Sequence, residues 1–148
     1  MKWILGAAAC VGLSASVLPT AAQQSAIDTC ALATAAELQA ITHQPVQGPK
    51  PQAAGICAWQ IAGRFAITIQ YNETGRAGFD NAKSLTSGAK PVAGIGDAAF
   101  VFVSVAGFDV VHVVKRDRYL TITYQGGANA ADRLQATEAI AAKVADKL

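Results

Sequence analysis

The chain has 148 residues, enough for one domain around one hydrophobic core. Apolar residues make up 52% and charged residues 15%, and 12 basic against 10 acidic side chains leave a formal net charge of +2. No basic run or stripe accompanies that small excess, which argues against nucleic acid as a partner.

The chain opens with a lone Lys2 and an apolar run from Trp3 to Leu18. Pro19 breaks the run, and Thr20, Ala21 and Ala22 offer small residues to a peptidase. This order of charge, apolar stretch and small-residue exit is that of a secretory signal peptide. Residues 1–22 are therefore expected to be removed on export, leaving residues 23–148 as a single domain with no transmembrane helix. The run is short for a membrane span, which disfavours an uncleaved anchor. Lipidation at Cys10 is disfavoured too, because few residues precede it and the apolar stretch VGLSASVL would remain at the mature end.

Without Cys10 the cysteines reduce to Cys30 and Cys57. A pair in an exported protein is most simply a structural disulfide. A redox or metal role fits poorly, since no Cys-x-x-Cys occurs and only two histidines could complete a zinc site.

In chain order, Thr34 followed by Glu37 forms a capping box that opens a helix ending near His43, before Pro45. QGPKPQAAG reads as a loop held extended by Pro49 and Pro51. Cys57, Trp59 and Ile61 alternate with Ala58 and Gln60, and Phe65, Ile67, Ile69 and Tyr71 alternate with Ala66, Thr68 and Gln70. Those two runs, separated by Gly63-Arg64, predict a β-hairpin. Phe79, Ala82 and Leu85 are spaced for one side of a short helix, whose start Gly75 and Gly78 weaken. AAFVFVSVAG, FDVVHVVKRD and RYLTITYQG predict a three-stranded antiparallel meander. Asn129 caps a final helix with a stripe of Leu134, Ile140, Ala141, Val144 and Leu148, and Lys143 and Lys147 suit its C-terminal end. The resulting order, α-β-β-α-β-β-β-α, predicts an α+β fold. An antiparallel sheet of about five strands would be packed by the N-terminal and C-terminal helices.

The stretch KPVAGIGDAAFVF raises the question of a phosphate loop. Such a loop follows a strand and opens a helix, whereas here Gly94, Gly96 and Asp97 precede a strand. A turn is the better reading, with Asp97 bonding backbone N–H groups as the chain bends; a ligand or cation at Asp97 is the alternative. His112 shares a face with Phe108, Val110 and Val114, where a packed histidine is commoner than a catalytic one. No Gly-x-Ser-x-Gly motif and no placed pair of acids suggests hydrolysis. Nothing in the pattern calls for a metal or a cofactor. Trp59, two residues after Cys57, would pack on the disulfide or line an apolar pocket.

The combination of Cys30, Leu32, Thr34 and Glu37, then Cys57 and Trp59, then Gly94 to Ala99, resembles a group of small exported bacterial proteins whose domain has no assigned activity. The likeness spans Cys30 to Leu148. It implies a Cys30–Cys57 bridge and an α+β sheet like that of the PsbP family of extrinsic proteins. It implies no reaction and carries no catalytic residue over. Many members of the group are lipoproteins, a point at which this sequence departs from the pattern.

The expectation is thus a periplasmic or secreted, non-enzymatic domain that binds a protein or small molecule or supports an envelope assembly. Trp59, Asp97 and His112 are its candidate pocket residues. The alternative is a small periplasmic hydrolase or ligand sensor that uses His112 and Asp97.

Overall fold

The structure, a computed structural model, describes residues 27–148. The expected signal peptide, with Cys10, lies outside the described residues. Asp28 caps a single 3-10 turn, Thr29–Ala31, its carboxylate accepting the Cys30 N–H at 3.0 Å. The capping box then opens α1, Ala35–Thr42. Thr34 Oγ1 accepts the Glu37 N–H at 3.2 Å, and the Glu37 carboxylate accepts the Thr34 N–H at 2.9 Å. His43 ends the helix in the left-handed conformation. There follow β1 (Val46–Ala53), β2 (Ile56–Ile61), β3 (Arg64–Asn72) and α2 (Gly75–Leu85). Strands β4 (Lys90–Val92), β5 (Ala98–Val103), β6 (Asp109–Lys115) and β7 (Arg118–Tyr124) lead to α3 (Ala130–Ala145).

The strands form one open antiparallel sheet of seven in the order β1-β2-β3-β7-β6-β5-β4. Two meanders, β1 to β3 and β4 to β7, meet where β3 pairs with β7, from Ile67 opposite Tyr124 to Asn72 opposite Tyr119. Helix α2 carries the chain from one meander to the other.

The α+β class and the antiparallel sheet are as expected, but the strand number of about five is corrected to seven. Both additional strands lie at the edges and both contain proline. β1, expected as a loop, pairs with β2 with a register shift between Gln47 and Lys50, where Pro49 has no N–H to give. β4, expected as part of a turn, pairs Pro91 with Phe100. Proline is tolerated where one side of a strand has no neighbour. Neither strand shows a buried periodicity of its own; β1 buries only Val46.

Side-chain alternation divides the sheet into two unequal faces. Helices α1 and α3 cover the first, where Leu38, Ile140, Ala141 and Val144 meet Trp59, Ile67, Ile69, Val111, Val113, Leu120 and Ile122 in the main core. Helix α2 covers part of the second, where Phe79 packs with Phe100, Val114 and Tyr119. The expected stripe of α2 is realised only in part: Phe79 is buried, Ala82 half-buried and Leu85 exposed, because the helix ends there.

Candidate functional site

The expected disulfide is formed, Cys30 to Cys57, with a Cα–Cα distance of 5.1 Å. It ties the 3-10 turn ahead of α1 to β2. Trp59 lies in the same main core as Cys57 and is fully buried, its indole N–H without an acceptor among the described residues. A Cβ on Gly48 would come within 3.1 Å of the indole Cδ1, so the ring edge is held against the backbone of β1.

Asp97 belongs to a turn. Gly94 and Gly96 both have positive φ. At Gly96 the requirement is strict, since a Cβ there would lie 2.7 Å from the Val114 carbonyl oxygen. The Asp97 N–H donates to that carbonyl at 2.8 Å, and the Asp97 carboxylate accepts the Arg116 N–H at 2.8 Å. Its partner is thus the β6–β7 turn, where Arg116 and Asp117 both sit at positive φ. Asp117 in turn accepts the N–H of Arg76 at 2.7 Å, capping α2 where the Thr74 side chain makes no cap bond.

His112 lies on the second face. Its ring stacks on Phe100 with centroids 4.5 Å apart and an interplanar angle of 10°, and Phe102 is 5.6 Å away. Nδ1 is hydrogen-bonded to the Tyr119 hydroxyl. Burial holds the imidazole pKa down at about 4, so the ring is neutral near neutral pH, and the same burial pushes the Tyr119 phenol up. Gln70, Asn72 and Thr121 continue this polar row across the sheet, through Asn72 to Thr121 at 3.0 Å and Gln70 to Asn72 at 3.3 Å.

The three candidate pocket residues are not brought together. Trp59 pairs with Ile67, which pairs with Tyr124, while His112 pairs with Thr121. Positions 121 and 124 of one strand point to opposite faces, so Trp59 and His112 are separated by the sheet. Asp97 is displaced from His112 toward the β6–β7 turn by roughly 10 Å along the strand.

The concavity lies elsewhere. A cleft of about 560 Å³ opens where the C-terminal end of α1 meets the N-terminal half of α3, over the end of β7. Its walls are alanines from both helices, Ala40, Ala136 and Ala139, whose short side chains leave the gap unfilled. Tyr124 lines it with a buried ring whose hydroxyl accepts from the Gln44 amide at 3.1 Å. Burial raises the Tyr124 pKa, and a hydrogen bond with the Gly127 backbone opposes the rise. Gly126 lets the chain pass this ring, since a Cβ there would lie 2.3 Å from the hydroxyl. His43, Gln44, Asp132 and Gln135 supply further polar groups, and the hydroxyl of Thr42, also in the lining, donates to the Leu38 carbonyl at 2.9 Å. Asp132 is already bonded to the Asn129 side chain at 2.8 Å. The arrangement offers hydrogen bonds to a small molecule. Among the described residues no group of His, Cys, Asp and Glu is arranged to hold a metal ion.

Sequence reasoning missed this cleft. It read His43 as a helix end and Tyr124 as part of a strand, and gave no role to the alanines three and four apart on α1 and α3. Facing alanines on two helices were the available signal, but it acquires meaning only once the helices are known to be neighbours. No protein-family model, curated protein or solved structure matches the chain.

Proposed function

We propose that this is an exported, non-enzymatic domain of the bacterial envelope that binds a small polar ligand in the cleft between α1 and α3. The cleft itself is the observation that carries the reading, because concave sites with a few convergent polar groups are where small molecules bind. Its groups, two amides, a phenol, an imidazole and one carboxylate, suit an uncharged ligand rich in hydroxyl or amide groups, such as a sugar or a short peptide. The Cys30–Cys57 bridge supports an oxidising compartment. No helix among the described residues is long and apolar enough to cross a membrane, which is compatible with a released domain. A PsbP-like arrangement of the sheet, and kinship with small exported bacterial proteins, belong to this same reading. The hydrolase or sensor built on His112 and Asp97 would need both groups in one concavity, and their separation gives it no support.

The test is a screen of sugars and short peptides by amide chemical-shift mapping on the isotope-labelled protein. Shifts concentrated at Gln44, Gln135 and Ala139, and abolished by Ala139→Trp, are expected. Shifts that gather around His112 instead, or ligand binding that survives Ala139→Trp, would overturn the assignment.

A further inference from the structure

The strand register gathers the exposed apolar side chains of the protein toward one end of the sheet. Thr68 of β3, Thr123 of β7, Val110 of β6 and Phe102 of β5 are consecutive cross-strand partners and form one row. Phe65 lies three residues beyond that row on β3, and Val105 three residues beyond it at the tip of the β5–β6 hairpin. Two strands separate them, a spacing of roughly 14 Å. Phe65 is 45% exposed, Val103 63% and Val105 completely. The chain returns toward this same end through α2, which terminates on Leu85, 76% exposed. These four are the exposed large hydrophobic residues among the described residues.

Unpaired charge at this end is predominantly positive. Arg64 adjoins Phe65, Lys83 lies two residues before Leu85, and Lys90 begins β4; all three are exposed and have no ion-pair partner among the described residues. Of the acids here, Asp109 is buried in an ion pair with Arg133 at 2.9 Å, while the exposed Asp132, hydrogen-bonded to the neutral Asn129 amide, keeps its charge against the three cations.

We infer that this end of the sheet docks on an anionic lipid surface. The aliphatic tips and Phe65 enter the headgroup boundary, and Arg64, Lys83 and Lys90 meet lipid phosphates. Apolar side chains ringed by cations are the combination such surfaces select, the first contributing buried area and the second attraction to anionic lipid. A protein partner would more often be met by a broad, fully desolvated patch than by separate protruding tips. The inference is independent of what occupies the cleft.

The test is sedimentation of the full chain with vesicles of phosphatidylcholine, alone or mixed with phosphatidylglycerol. Every variant keeps the same N-terminal residues, so any contribution from residues 1–26 is common to all. Binding is expected to the mixed vesicles and to weaken with salt. The variant Arg64→Gln/Lys83→Gln/Lys90→Gln should lower partitioning into mixed vesicles about a hundredfold. Val103→Ser/Val105→Ser should lower it about tenfold. All these positions are exposed, so melting should be unchanged. Arg118→Gln, which removes an exposed cation from the opposite end of the sheet, should have little effect. The proposal is overturned if the wild-type chain ignores the mixed vesicles or binds both kinds equally. It is also overturned if the triple variant binds as the wild type does, or if Arg118→Gln costs as much per charge as the triple change.

Discussion

The two ends of the sheet are built on different terms. At the end that carries the β6–β7 turn, separate parts of the chain are stitched together by polar bonds. Asp97 holds the Arg116 N–H, Asp117 holds α2, Lys115 reaches the Ala145 carbonyl at 2.8 Å, and Glu37 bridges Lys143 and Lys147. At the other end the Asp109–Arg133 pair ties the base of the β5–β6 hairpin to α3, but the hairpin tip closes on itself, through Ser104 and Phe108, and projects Val103 and Val105 into solvent. One end is fastened at several points; the hairpin tip at the other is free to meet something else. A glycine or an aspartate means different things at the two ends, and substitution can separate those meanings.

The largest effect should come from the link that both ends depend on. Removing the bridge with Cys30→Ser/Cys57→Ser is expected to cost about 3–4 kcal/mol in denaturant unfolding, through the freedom returned to the unfolded chain. A core to which the third helix contributes alanine at Ala136, Ala141 and Ala145, half of its buried positions, has little to offset that loss. Unfolding midpoints that coincide for variant and wild type would show that the bridge constrains nothing.

The glycines then separate the ends directly. Gly96 and Gly107 both have positive φ, but only Gly96 has a backbone oxygen where a Cβ would go; around Gly107 nothing lies within 4 Å. Gly96→Ala should cost about 2–3 kcal/mol and Gly107→Ala about 1 kcal/mol. Equal losses would mean that the stitched end is no tighter than the free one.

Asp97→Ala leaves the Arg116 N–H without its acceptor and should cost about 1–2 kcal/mol. If stability holds and binding of an ion is lost instead, the turn is a site and not a bend.

Acid should distinguish the groups that lie between and at the ends. The His112 pKa falls from 6.5 in the open chain to about 4 in the fold, so between these values the unfolded chain binds the extra proton. Stability is therefore full above pH 6.5 and declines as pH drops toward 4, by on the order of 1 kcal/mol once solvent screening of the partly exposed ring is allowed for. His112→Phe should flatten that slope. Glu37 acts lower. The Thr34 N–H first, then Lys147 and Lys143, hold its pKa at about 2, so its contribution is complete above pH 4.5 and fades as pH falls through 2. A stability curve with no slope between pH 6.5 and 4 would contradict the packing of His112. The smallest effect belongs to the free end, where Val105→Ser should move stability by less than about 0.5 kcal/mol.

What the sequence made legible was local. The Thr34–Glu37 box, the hairpin of β2 and β3, the meander of β5 to β7 and the Asn129 cap each depend on residues close in the chain, and each formed where its pattern pointed. β1 and β4 were illegible because edge strands take their structure from a neighbour's backbone, and their prolines argue against it locally. The pairing of β3 with β7 joins residues about fifty apart, a distance that no periodicity encodes. The role of Asp97 was half legible: a carboxylate serving backbone N–H groups was expected, but its partner is nineteen residues away in sequence. The cleft was illegible for the same reason, since α1 and α3 lie at opposite ends of the described chain.

The prolines at the edges have a consequence beyond strand counting. An open sheet is a template for polymerisation, because its outermost strands present unpaired backbone groups to any extended chain that approaches. Here one border strand carries Pro49 and Pro51 with Lys50 between them, and the other is three residues long with Pro91 at its centre. Neither border can offer an unbroken ladder to a second molecule. In a chain with 52% apolar residues, the same prolines that kept the border strands from being read in the sequence deny an approaching strand its regular partner.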